Sequence, residues 1–146
     1  MRSRNAFLFA ALMLFSGAAG PVTCSQRLAD DEAKLFVIAG KVRAGVRMAA
    51  QDLQGAIDLL CANGNTINNG VINIKSAVAA GGPGPKTDAN LKIADQALNA
   101  LNGVCSASPG VGNPVTLAAL FRQGYAAYLA AKSSAASATA AAANGT

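Results

Sequence analysis

Histidine is absent from the 146-residue chain, and that absence limits what the remaining reactive side chains can do. Without imidazole there is no Ser-His-Asp or Cys-His catalysis, no usual general base, and none of the commonest metal ligand. The three cysteines, Cys24, Cys61 and Cys105, are far apart and form no C-x-x-C pair, so neither a zinc site nor haem attachment is expected. The carboxylates are Asp30, Asp31, Glu32, Asp52, Asp58, Asp88 and Asp95. Carboxylate catalysis needs two of them facing each other across a cleft. Asp30, Asp31 and Asp88 read instead as helix-start residues, and Asp52, Asp58 and Asp95 as solvated positions on helix faces. "GGPGPKT" partly matches a phosphate-binding loop, but Pro85, which lacks an N–H, stands where the second glycine must be. No catalytic residue, metal or cofactor is therefore assigned, and the chain is expected not to be an enzyme.

Binding chemistry is nearly as sparse. Phe121, Tyr125 and Tyr128 recur at helical spacing and are expected to be core, with their hydroxyls at its rim. Lys41, Arg43 and Arg47 have a composition suited to anionic lipid or polymer, yet acidic neighbours favour an ordinary solvated helix face. Twelve basic residues stand against seven acidic ones, but they are spread singly and only 5% of residues are aromatic, which argues against nucleic acid as a partner.

The N-terminus has the organisation of an export signal. Arg2 and Arg4 precede an apolar run, Ala6 to Phe15, and then small residues, "SGAAG". That run is too short to span the ~30 Å hydrocarbon core of a membrane. Residues 1–23 are read as a cleaved signal, with the cut near residues 18–23, after "SGA" or "GAA" or before Cys24. Cys24 followed by Ser-Gln resembles the start of a mature bacterial lipoprotein, in which a lipobox cysteine is diacylated. Pro21 and Thr23 depart from the lipobox pattern, which has a large aliphatic residue at −3 and Gly, Ala or Ser at −1. Cysteine parity supports the same assignment: lipidating Cys24 leaves Cys61 and Cys105 as a pair in an oxidising compartment. Removing the signal takes away Arg2 and Arg4, leaving ten basic against seven acidic residues.

The remaining chain is Ala-rich with helical periodicity. Leu28, Leu35, Ile38, Val42, Val46, Ala49, Leu53, Ile57 and Leu60 lie on one face of a long amphipathic helix with an acidic opening, Asp30 to Glu32. Gly40, Gly45 and Gly55 mark close contacts or a break within it, and Asn63-Gly64 is read as its stop. A second helix is expected over Thr66–Ala80, followed by a Gly/Pro turn. A third, capped by Thr87 or Asp88, carries Leu91, Ala94, Leu98 and Leu101 and closes at Asn102-Gly103. The fourth starts at Asn113-Pro114 and carries Leu117, Leu120, Phe121, Tyr125, Tyr128 and Leu129. Residues 133–146 form a low-complexity Ala/Ser-rich tail expected to fray.

These elements predict an all-α fold, a small up-and-down bundle of about four helices over residues 24–132. Cys61, at the end of the first helix, and Cys105, just past the end of the third, fall at one pole and are expected to form a disulfide. Closing such a loop contributes about 4 kcal/mol. The functional expectation is an exported, non-enzymatic envelope protein of bacterial or phage origin with a structural or interaction role. It would attach to the membrane through Cys24 if that residue is lipidated, and would meet a protein partner that the sequence does not identify. One alternative is a helical binding module for an apolar ligand or a partner helix. A membrane-active lysis accessory is the third, disfavoured because no helix beyond the signal is long and uncharged enough to span.

Overall fold

A computed structural model of the chain describes residues 24–108, 110 and 112–144, and all regular structure within them is helical. The helices are α1 (Cys24–Arg43), α2 (Ala50–Ala79), α3 (Pro85–Ala107) and α4 (Pro114–Ala143). The expected signal and its cleavage positions, residues 1–23, lie outside the described residues. The chain divides into two compact units, residues 1–32 and 33–146. Of the first, the described part is the opening of α1; the packing that follows is that of the second.

Four helices were expected and four are present among the described residues, but the chain is cut in different places. The long first helix breaks at Gly45. Val46 N–H donates to Lys41 C=O at 3.0 Å and Gly45 N–H to Val42 C=O at 3.2 Å, with Gly45 at φ +74°. This is the Schellman arrangement, in which a left-handed residue reverses the chain so that the last carbonyls of the helix are satisfied. α1 also begins before its acidic run: its first turn holds no carboxylate, so Asp30 and Asp31 are not helix-start residues.

Conversely, the expected stop at Asn63-Gly64 is the interior of α2, which joins the latter part of the first predicted helix to the second. Asn63 Nδ2 donates to Leu59 C=O one turn back at 2.9 Å, so its side chain supports the helix instead of ending it. Gly64 is buried, and a Cβ placed there would meet Leu101 Cδ2 at 2.5 Å. Its role is to let α3 come close.

α3 begins at Pro85, with Pro in the first turn and Gly84 as an N-cap lacking a side-chain bond. Proline suits this position because the N–H it lacks would have no intrahelical partner. Thr87, expected as a cap, is instead fully buried, and Asp88 lies in the first turn. The helix passes through Asn102-Gly103 to Ala107, which places Cys105 inside it. α4 starts as expected: the Asn113 side chain accepts from Val115 N–H at 2.8 Å and Pro114 opens the helix. It continues to Ala143, so the boundary at residue 132 does not coincide with a helix end, and the tail does not fray there. Ala131 and Ala138 are buried on it, and alanine is the best helix former.

Contacts between α2 and α3 fall in residue number on one as they rise on the other: Gln54 meets Ser108, Cys61 meets Cys105, Gly64 meets Leu101, and Lys75 meets Asp95. α3 therefore runs back along α2, and both pack on α4. Cys61 and Cys105 form a disulfide, with Cα atoms 6.0 Å apart and a sequence separation of 44. Cys61 lies well inside α2 rather than at a helix end, and Cys105 lies in the last turn of α3 rather than just past it. One buried cluster gathers Leu35, Ala39 and Val42 of α1 with Leu53, Ile57 and Leu60 of α2, Leu101 of α3, and Leu117, Phe121 and Tyr128 of α4. A second joins Val71, Leu91, Ala94, Leu98, Ala131 and Ala138. Phe121 and Tyr128 are core as expected, and Tyr125 stacks on both, with ring centroids at 5.7 and 6.4 Å.

Close helix approach makes two glycines of α2 and α4 respond oppositely to alanine. At Gly124 a Cβ would lie 2.8 Å from Leu60 Cδ2 and 3.0 Å from Cγ1 of the stiff Val104, whereas at Gly55 nothing lies within 4 Å. Overpacking costs about 1–3 kcal/mol, against a gain of ~1 kcal/mol from removing a helix-interior glycine. In urea titrations Gly124→Ala should therefore lose up to about 2 kcal/mol and Gly55→Ala should gain up to ~1 kcal/mol; equal gains at both sites would refute the close approach. Replacing Cys61 and Cys105 together by alanine should lower stability by about 3–4 kcal/mol under non-reducing conditions, and a loss under ~1 kcal/mol would show that the helices hold their spacing without the bridge.

Candidate functional site

Asp95 pairs with Lys75, Asp58 accepts from Gln54 Nε2 at 2.9 Å, and Asp88 sits in the first turn of α3. Among the described residues no group of three or more His, Cys, Asp or Glu comes together. The Lys86-Thr87 pair of the glycine-rich stretch opens α3 directly after helix α2, not after a strand, so it lacks the strand-to-helix setting of a phosphate-binding loop. Cys24 is the first residue of α1. Cys61 and Cys105 are joined to each other.

What does converge is a set of arginines around an apolar cleft of about 590 Å³. Three elements build it. The last turn of α1 supplies Val42 and Arg43, and the Schellman turn then redirects the chain so that Val46, Arg47 and Met48 reach the same place. Leu53 of α2 adds to the lining. α4 contributes Pro114, Val115, Ala118 and Arg122, spaced by one turn and therefore on one face. Asn113 fixes the start of that face by holding Val115 N–H.

The electrostatics of the cleft have one sign. Arg43, Arg47 and Arg122 line it, and no described carboxylate does. Guanidinium groups stay charged at any physiological pH, so the cleft carries three positive charges on exposed side chains. The positive end of the α4 dipole lies beside them. Part of the apolar lining is open to solvent. Val115 is 77% exposed and Val46 is 52% exposed, although both are large apolar side chains. By contrast Leu53 is buried and ties the cleft to the core beneath.

Arg43 and Arg47 were expected on a solvated helix face with Lys41. The turn at Gly45 instead carries Arg47 off that helix, and Lys41 does not line the cleft. Arg122 was not singled out by sequence at all. It lies on α4, remote in sequence from the other two, and only its place beside the buried Phe121 marks it as emerging from a core-facing turn.

The end of the bundle beneath the cleft is braced. Gln54, buried on α2, donates to Ser108 Oγ at 2.8 Å and accepts from the same hydroxyl at 3.1 Å, pinning the end of α3 to the start of α2. Cys61 and Cys105 tie the same two helices further along. No protein-family model matches this chain, and neither a curated protein nor a solved structure shows significant similarity to it.

Proposed function

We propose that the chain is an exported, non-enzymatic protein of a bacterial or phage-encoded cell envelope, an up-and-down bundle that acts by binding rather than by catalysis. The observation that carries this reading is the Cys61–Cys105 disulfide across α2 and α3. A bridge closing a long loop between two helices persists in an oxidising compartment and is reduced in a cytosol. The signal-like organisation of residues 1–23 and the spread of the carboxylates support the same reading. Its mode of action would be interaction through a preformed surface, for which the arginine-lined cleft is the candidate. A membrane-spanning mode finds no support in the described residues, where no helix is long and apolar enough to cross a membrane.

Two maturations are compatible with this reading, and they differ at Cys24. Either Cys24 is the lipidated first residue of an anchored protein, or cleavage falls earlier and Cys24 is an ordinary exported cysteine. Intact mass of the protein expressed with its own N-terminus in a Gram-negative host decides between them. Export predicts loss of a segment ending within residues 18–23 and a two-proton mass gain on reduction, from Cys61 and Cys105. Lipidation adds the mass of acyl groups to a chain starting at Cys24 and places it in the membrane fraction. An uncleaved chain with reduced cysteines in the cytosol would overturn export.

A further inference from the structure

We infer that the cleft between the α1–α2 turn and the first turns of α4 is a binding site for a single-chain anionic amphiphile, a molecule with a phosphate or carboxylate head and an aliphatic body. This goes beyond the envelope reading and does not depend on export. Three observations carry it. Arg43, Arg47 and Arg122 come from the end of α1, the turn and α4 to line one opening, and no described carboxylate lines it with them. Guanidinium groups present planar pairs of donors suited to phosphate and carboxylate oxygens. Secondly, Val42, Val46, Met48, Leu53, Val115 and Ala118 supply an apolar lining alongside those charges. The large exposure of Val46 and Val115 is unfavourable in the free protein and is relieved when an aliphatic chain covers them. Thirdly, the cleft volume of about 590 Å³ falls in the range of small-molecule sites.

Neither feature alone selects this ligand. A free inorganic anion would use the arginines and leave the valines wet; a neutral apolar ligand would cover the valines and leave the charges unpaired. A flat anionic bilayer would meet exposed arginines but would not fill a concave site. The chemistry that satisfies both halves is an anionic head joined to an aliphatic body.

The test is calorimetric titration of the purified, disulfide-intact protein with dodecyl phosphate and with laurate below their critical micelle concentrations. Inorganic phosphate and dodecyl maltoside, titrated in parallel, supply the head without the tail and the tail without the charge. At least one of the two anionic amphiphiles should bind at least tenfold more tightly than either control. Arg47→Gln and Arg122→Gln should each weaken that binding about tenfold, whereas Lys34→Gln, outside the cleft, should leave it unchanged. All three positions are exposed, so circular dichroism and thermal melts should match the unsubstituted protein. Equal affinity for the anionic and uncharged dodecyl compounds would overturn the proposal. So would inorganic phosphate binding as tightly as dodecyl phosphate, or no response to either arginine substitution. Binding to phosphatidylglycerol vesicles without binding to either monomeric amphiphile would also overturn it, in favour of a surface contact.

Discussion

The close approach of α2, α3 and α4 around Gly64, Leu101, Val104 and Gly124 is the constraint on which the rest of the fold depends. A Cβ at Gly64 or Gly124 would run into side chains of the neighbouring helices. Here Gly64 admits Leu101, and Gly124 admits Leu60 and Val104, so the three helices interlock in one layer. That spacing also lets Cys61 and Cys105 reach each other across α2 and α3, with Cα atoms 6.0 Å apart. The bridge and the glycines therefore act together: the glycines permit the approach, and the covalent link removes from the unfolded chain much of the freedom to be elsewhere. For a chain with a modest core, this layer replaces apolar volume with proximity.

The bundle on either side of that layer is built from different materials. Towards the start of α2 and α4 the core is made of Leu35, Leu53, Ile57, Leu60, Phe121 and Tyr128. Each such side chain, fully buried, contributes about 1.5–3 kcal/mol. Towards the far end, Val71, Leu91 and Leu98 face Ala94, Ala131 and Ala138. Alanine buries little area, so that end relies on close contact and on the high intrinsic helix propensity of the alanine-rich segment. The last turns of α4 are helical for this reason, although nothing large is available there to bury.

Much of this architecture was legible in the sequence, and the parts that were not share a cause. Asn113-Pro114 has a single good structural use, and it starts α4 as read. The periodic faces of α1, α3 and α4 likewise match the buried Leu35, Leu91, Leu98, Leu117 and Phe121. Glycine and asparagine, however, serve two purposes that look alike locally. Asn63-Gly64 has the composition of a helix stop, yet its use is set by Leu101, on another helix. Gly40, Gly45 and Gly55 are equivalent by propensity, and only the reversal at Gly45 satisfies the closing carbonyls of α1. The pairing of Cys61 with Cys105 was anticipated from parity and from a placement at two helix ends; the pairing holds, but both residues lie within helices. The cleft was invisible for the same reason as Gly64, because Arg47 and Arg122 are neighbours only once α4 has packed against the turn.

The location of the cleft follows from this asymmetry. A site that leaves valines exposed works against the stability of the segment that carries it, and it is best sustained where the surrounding structure is well fixed. The start of α2, the end of α3 and the start of α4 form that region: the large core residues lie beneath it, Gln54 and Ser108 lock two of its helices, and the disulfide is close by on the same pair. The Schellman turn that carries Val46 and Arg47 is itself anchored, through the bonds to Lys41 and Val42 on one side and through Met48 packed on the core on the other. The backbone that carries these arginines is thereby fixed, while ordering each exposed side chain on an anion would still cost about 0.5–1.5 kcal/mol. On the alanine-rich end the same cluster would rest on a thinner core, and its charges would be opposed by less packing.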